Sequence, residues 1–180
     1  MARLLRTQNA QGVTARLYDF RNLDEKLHHM RDMITRDREH PAVRNMAVRI
    51  LRDSGCEQYD KKEQALCIAD WIQQNCFYVH EFPERLAHAW RTIEDKAGDC
   101  DDYTIAIAAM LESCGIPCVQ CCMQVNGHWK HIFPAAVLEK PGGRATLMPL
   151  DATLRDPIRA RINPVLRTMS QGKAVKLKLA

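Results

Sequence analysis

The sequence lacks an apolar run of the roughly 18 to 20 residues that a membrane-spanning helix needs, which excludes such a helix and a membrane partner. Its basic start is followed at once by polar residues, so the apolar segment of a secretory signal is missing and we expect a cytoplasmic protein. Aromatic residues are scarce, at 6%, and none interleaves with the basic residues of 155–180. A nucleic-acid partner bound through that tail is therefore disfavoured against a solvated tail.

The remaining composition is that of a folded globular protein. Hydrophobic residues make up 46% of the 180 residues and charged residues 27%, which suits one substantial core and argues against disorder. We expect a single domain over 1–180, with a helical N-terminal part (24–55), a core region (56–154) and a basic C-terminal tail (155–180). The core region carries 8 basic and 14 acidic side chains and the tail 7 and 1. The tail is where we expect disorder.

Hydrophobic periodicity predicts helices first and strands second. Two amphipathic helices fit residues 24–54, a third fits 62–77, an irregular stretch follows, and a helix that is apolar on every side begins at Asp99. Three strands then follow, separated by turn signals: Cys118–Val125, His131–Leu138 and Ala145–Leu150. This order predicts an α+β fold, with an antiparallel sheet packed on the buried helix. Pro134 has no N–H to donate, so we expect the second strand to be an edge, bulged or shortened there.

Cys100 is the strongest candidate for chemistry, because it falls in the first turn of the buried helix. Asp99 can cap that helix and Asp102 can bond back to the cap. The dipole of the helix favours an anion at this end, so it stabilises a thiolate, and the free amide can donate to an oxyanion. Three carboxylates beside the thiol (Asp99, Asp101, Asp102) oppose the thiolate, and a nearby imidazolium has to offset them.

His131 is the candidate for that imidazolium and Asp151 for the carboxylate that orients it. If the strands starting at His131 and ending at Leu150 pair through the turn at 140–143, their ends meet and Asp151 can accept a proton of the imidazole. His128, in the turn itself, is the competing histidine and is disfavoured by its position. Asp151 has an alternative role as a turn aspartate.

Several of these segments resemble the transglutaminase-like superfamily. The resemblance is carried by Ala97–Tyr103, Cys114–Pro117, the histidine that opens the next strand, Pro149–Thr153, and the upstream helix Ala69–Tyr78. It implies a papain-like fold in which Cys100 is the nucleophile, His131 the base and Asp151 the acid, with peptidase, amidase or protein cross-linking acyltransferase activity on a peptide or protein substrate. The segment Asp37–Arg44 is also similar to small members from tailed bacteriophages, which implies phage structural proteins as partners, in host cytoplasm or virion. A catalytically silent binding or assembly module is the alternative.

The remaining site predictions concern substrate and metals. Trp90, Tyr103 and Trp129 are candidates for an apolar wall of the substrate cleft, with core packing as the alternative. Eight cysteines are many for this length, yet without a secretory signal we expect reduced thiols, most of them packed in the core. The half-signature Pro117–Cys121 of zinc deaminases lacks its His-x-Glu partner, and strand geometry disfavours zinc on Cys114, Cys118, Cys121 and Cys122. We therefore expect no metal and no other cofactor.

Overall fold

The structure is a computed structural model. It describes residues 3–10, 13–57, 59–80, 85–125, 127–139, 143, 145–154, 156–161 and 176–179.

Five helices fall within these residues, and local sequence explains where the long ones begin. They are α1 (Leu23–Asp37), α2 (Pro41–Asp53), α3 (Lys61–Asn75), α4 (Ala89–Asp95) and α5 (Cys100–Ser113). Asn22, Asp60 and Asp99 cap α1, α3 and α5 by accepting hydrogen bonds from amides in the first turn. The helices predicted over 24–54, 62–77 and from Asp99 are confirmed. α4 lies in the stretch that was predicted to be irregular.

The strands of the described residues form three sheets. The largest is antiparallel and has the order β7-β6-β5-β8, with β5 at Cys118–Val125, β6 at His128–Glu139, β7 at Ala145–Pro149 and β8 at Lys176–Leu179. Two residues each from β3 (Phe77–Tyr78) and β4 (Ala97–Gly98) form a parallel pair. The third sheet is an antiparallel hairpin of β1 (Arg3–Ala10) and β2 (Val13–Asp19). The predicted α+β class with an antiparallel sheet is confirmed.

The core is centred on α5, which is buried along most of its length. Ile105, Ile107, Met110 and Leu111 are completely buried, and α1 to α4 and β6 all pack against this helix. Each such side chain contributes about 1.5 to 3 kcal/mol of apolar burial. Because α5 is surrounded on every side, its first turn is held rigidly within the domain.

Pro134 does not mark an edge or a shortened strand, and that prediction is wrong. β6 continues through it from His128 to Glu139 and is an inner strand, paired with β5 on one side and β7 on the other. The carbonyl of Pro134 still accepts from Leu150 N at 2.8 Å. The irregularity of register lies nearer His131, where Met123 pairs with His131 and the next residue of β5 pairs with Trp129.

The C-terminal segment is only partly described, and its described parts are ordered. Lys176–Leu179 pairs with β5 as strand β8, and a 3-10 turn at Ile158–Arg161 buries Ile158 and ion-pairs Arg159 with Glu63 and Asp70. The expected disorder is therefore wrong for these stretches. Residues 162–175 lie outside the described part of the chain.

The structure differs from the expectation of reduced thiols at one pair of cysteines. Cys56 and Cys67 are joined as a disulfide, with Cα atoms 7.6 Å apart, which links the end of α2 to α3. The cysteines outside this disulfide are Cys76, Cys100, Cys114, Cys118, Cys121 and Cys122. No helix in the described residues combines the length and apolarity needed to cross a bilayer.

Candidate active site

The approach of the chain to Cys100 is fixed by a close backbone contact. β4 ends at Gly98, Asp99 caps α5, and Cys100 is the first helical residue. A Cβ atom at Gly98 would lie 2.7 Å from the Cβ of Asp102. Glycine is therefore needed for the strand to run this close to the first turn of the helix.

The three carboxylates around Cys100 are all engaged in contacts that hold the site. The Asp99 side chain accepts from the amides of Asp101 and Asp102. Asp102 accepts from the amides of Asp99 and, at 2.7 Å, Ala87. These bonds complete the predicted capping box.

The third carboxylate, that of Asp101, pairs with a cation from another helix. The Nζ atom of Lys26 in α1 lies 2.6 Å from Asp101 Oδ2, and both side chains are largely buried, 19% and 6% exposed. The carboxylates that were expected to oppose a thiolate thus accept hydrogen bonds from amides or pair with an ammonium group.

His131 lies between Cys100 and Asp151. Its Nε2 is 2.7 Å from Asp151 Oδ2, and the imidazole also hydrogen-bonds the Cys100 side chain. Because Nε2 faces Asp151, Nδ1 is the nitrogen left for the sulfur. Burial lowers the pKa of His131, but hydrogen bonds and charge attraction from Asp151 and Cys100 outweigh it and raise the pKa to about 10. The imidazole is thus held as an imidazolium at neutral pH.

Asp151 is held where the predicted strand pairing places it. Ala135 of β6 pairs with Pro149 of β7, so the chain beyond β7 returns to the start of β6. The other carboxylate oxygen, Oδ1, accepts from Thr153 N at 3.1 Å and Thr153 Oγ1 at 2.7 Å. Burial tends to raise the pKa of Asp151, but the His131 and Thr153 contacts lower it below its usual range. His128, the competing histidine, is exposed at the start of β6.

Tyr78 contacts Cys100, which the sequence reasoning missed. It pairs with Gly98 in the β3/β4 ladder, and its hydroxyl hydrogen-bonds the Cys100 sulfur. Burial, followed by the negative charge of Cys100, raises the pKa of Tyr78 to about 12. The only sequence signal was that Tyr78 ends one of the segments that resemble the superfamily.

The three predicted wall residues lie in different places. Trp129 is 38% exposed and lines a pocket of about 240 Å³ beside Cys100. Tyr103 is buried, with its ring edge-to-face on Tyr78 at 6.1 Å. Trp90 stacks against the imidazoles of His40 and His88 and is outside the pocket lining. The pocket is lined by Leu23, Lys26, Leu27, Met30, Cys100, Asp101, Cys122, Trp129, Lys130, His131 and Ile132.

Two groups among the described residues bring three metal-ligating atoms together. In the first, Asp99, Cys100 and Asp101, the carboxylates already bind amides and Lys26. In the second, Cys56 and Cys67 are joined to one another, and Arg159 lies against Glu63. Cys118 and Cys121, from the half-signature for zinc, pack in two separate hydrophobic clusters. These contacts give no support to a metal site.

A cysteine at the start of a buried helix, packed on an antiparallel sheet that carries a histidine, defines the papain-like class of folds. The family model of the transglutaminase-like superfamily matches residues 47–146. This is more than half of the chain, and the chain belongs to that superfamily.

The chain is also similar to solved structures at low identity. A candidate cysteine protease from Cytophaga hutchinsonii is 20% identical, with a TM-score of 0.44, over 66% of this chain and 42% of that one. A candidate protease from Parabacteroides distasonis is 10% identical, with a TM-score of 0.48, over 84% and 39%. LapG of Legionella pneumophila is 14% identical, with a TM-score of 0.42, over 75% and 67%. The chain thus spans about two fifths of the first two structures. No curated protein sequence matches it.

Proposed function

We propose that the protein is a cysteine-dependent acyl-transfer enzyme that attacks an amide or ester carbonyl and forms a thioester on Cys100. The observation that carries the proposal is the position of His131, hydrogen-bonded to Cys100 on one side and 2.7 Å from Asp151 on the other. In this proposal Cys100 is the nucleophile, His131 is the base, and Asp151 is the carboxylate that orients the imidazole.

The first half of the reaction forms the thioester. The Cys100 thiolate adds to the carbonyl carbon, and the charge passes to the carbonyl oxygen, where the Cys100 amide can donate a hydrogen bond. The tetrahedral intermediate then collapses, breaking the bond from carbon to the leaving nitrogen or oxygen. His131, as imidazolium, gives its proton to the leaving group. Asp151 keeps the ring oriented and stabilises its positive charge.

The second half returns the enzyme to its starting state. Water, or an amine in a transfer reaction, adds to the thioester while His131 takes its proton. The carbon–sulfur bond then breaks, releasing the acid or the new amide. Hydrolysis is the simpler proposal, because it needs no second site for an amine. The substrate class that we propose, a peptide or protein, is supported by superfamily membership.

A catalytically silent module remains the second candidate. Two features favoured it: the carboxylates around Cys100 and Pro134 in the strand after His131. The carboxylates are engaged by amides and Lys26, and β6 continues through Pro134. Both features therefore have structural explanations that are compatible with catalysis. Phage structural partners and a cytoplasmic location stay predictions from the sequence.

Trapping the acyl-enzyme tests the proposal. Wild-type protein is mixed with activated peptide esters, and the intact mass is followed at short times. We expect a mass increase of one acyl group, located on Cys100 by peptide mapping. His131→Ala should acylate at least about 100-fold more slowly, the usual range for loss of a general acid or base.

Cys100→Ser is the matched control for the trapping experiment, since it keeps the size of the side chain and removes the thiol. A wild-type protein that stays unmodified by every ester, or a Cys100→Ser variant that accumulates the same adduct, would contradict the proposal.

A further inference from the structure

The proposed reaction forms an oxyanion, and the backbone near Cys100 does not by itself identify a second hydrogen-bond donor for it. Asp99 binds the amides of Asp101 and Asp102, and among the described residues no acceptor is recorded for the Cys100 amide. That amide can therefore serve the reacting carbonyl. One donor leaves a tetrahedral oxyanion only partly stabilised, because such sites generally supply two or more.

Two backbone bonds fix Tyr78 beside the strand that leads to Cys100. Phe77 N donates to Lys96 O at 2.8 Å, and Val79 N donates to Gly98 O at 3.0 Å. Phe77 and Val79 on either side are 77% and 41% exposed and Tyr78 itself is 42% exposed, so part of the Tyr78 side chain is open to solvent. The short β3/β4 ladder thereby anchors Tyr78 directly against the strand that leads into the nucleophile.

The ring of Tyr78 also packs against a buried side chain of α5. Tyr103, one turn into α5, packs edge-to-face against it at 6.1 Å. Tyr103 is 2% exposed, and within the described residues its buried hydroxyl has no hydrogen-bond partner. The ring of Tyr103 therefore gives the ring of Tyr78 a fixed packing surface on α5.

We propose that the Tyr78 hydroxyl is a catalytic residue, the second oxyanion donor of the acyl-transfer reaction, acting together with the Cys100 amide. This inference rests on the proposed function. Before the reaction the hydroxyl donates to the sulfur of Cys100. When the sulfur bonds to the carbonyl carbon, its charge moves to an oxygen two bonds away, and the O–H bond need only turn to follow it. The hydrogen bond to the sulfur is lost in that step and replaced by one to the oxyanion.

The test compares two reactions of the same thiol. Acylation by a peptide ester passes through an oxyanion, whereas alkylation by iodoacetamide displaces iodide and forms none. For Tyr78→Phe we expect the acylation rate constant at saturating ester to fall by about 10²-fold, with little change in the ester concentration that gives half the maximal rate. The alkylation rate of Cys100 should fall much less than the acylation rate, because alkylation loses only the hydrogen bond to the sulfur and forms no oxyanion.

Tyr59→Phe is the matched control, because Tyr59 is 89% exposed and distant in sequence from the site; its two rates should match wild type. Equal acylation by Tyr78→Phe and wild type would overturn the inference while leaving the proposed function standing. Equal losses in both reactions would also overturn it, since they would show that Tyr78 only positions the thiol. A wild-type protein that alkylates but never acylates would reject the proposed function itself, and the oxyanion role with it. Thermal unfolding of each variant checks that the fold is retained.

Discussion

Replacing Asp151 with asparagine removes one negative charge from the centre of the candidate site while keeping the shape of the side chain. The carboxylate accepts hydrogen bonds on both oxygens, from His131 on Oδ2 and from Thr153 on Oδ1. An asparagine offers only one accepting oxygen, so it satisfies His131 or Thr153 but turns an NH₂ group towards the other. The variant therefore loses the charge and one of the two hydrogen-bonded contacts.

The size of the effect follows from the pKa of His131. That pKa is about 10, and Asp151 and Cys100 share in raising it. A hydrogen bond to a charged group contributes about 1.5 to 3 kcal/mol, and one pKa unit corresponds to about 1.4 kcal/mol. Asp151→Asn should therefore lower the pKa of His131 by about 1 to 2 units, which leaves the imidazole protonated at neutral pH and moves its deprotonation to lower pH.

The assay is the pH dependence of acylation by a peptide ester. His131 must be protonated to give its proton to the leaving group, so the wild-type rate should decline only as the pH approaches about 10. In Asp151→Asn this alkaline limb should move to lower pH by about 1 to 2 units. Asp53→Asn, a surface aspartate paired with Arg52, is the control and should match wild type. An alkaline limb that stays in place in Asp151→Asn would refute the reasoning.

Three further predictions concern the surroundings of the site. Lys26→Met leaves the buried Asp101 carboxylate without its ammonium partner at 2.6 Å; we expect a loss of about 2 to 4 kcal/mol of stability by urea unfolding, and Lys26→Arg should recover most of it. Gly98→Ala places a Cβ atom 2.7 Å from Asp102 Cβ; it should cost about 1 to 3 kcal/mol, and a thermal midpoint equal to wild type would contradict the close contact. The pKa of His131 is raised from 6.5 to about 10, so its charge stabilises the fold fully below pH 6.5 and less as the pH rises to about 10. Between pH 7 and pH 10, the free energy of unfolding in urea should fall on the order of 2 kcal/mol more for wild type than for His131→Gln. Equal falls in the two proteins would contradict the raised pKa of His131.

The sequence predicted those parts of the site that depend on local pattern. Asp99 and Asp102 are spaced as a capping box, which places Cys100 in the first turn whatever the rest of the chain does. His131 and Asp151 follow from the pairing of two adjacent strands, since the ends of an antiparallel pair meet. Predicting these positions required only the rules for helix capping and for the pairing of two strands joined by one turn.

The features that sequence reasoning missed depend on contacts between distant segments. β3 and β4 have two residues each and gain their ladder from a partner about 20 positions away, so Tyr78 carried no periodic signal. β8 forms only because β5 offers it an edge. Pro134 was predicted to weaken its strand by a local rule, yet β5 and β7 hold β6 from both sides. Tertiary pairing overrides local preference in each case.

The free cysteines other than Cys100 provide an internal standard for its reactivity. Burial raises the pKa of Cys76 and of Cys121 to about 11, and it also raises the pKa of Cys114 and Cys118. Thiolates are the reactive form, so these four residues should react slowly with an alkylating reagent at neutral pH.

Limiting-dose labelling by iodoacetamide at neutral pH, read out by peptide mapping, is the most direct test of the central claim that Cys100 is an activated nucleophile. The account predicts that Cys100 is alkylated first in the native protein, and that His131→Ala slows its labelling while leaving the slower cysteines unchanged. Preferential labelling of any other cysteine, with Cys100 inert, would contradict it.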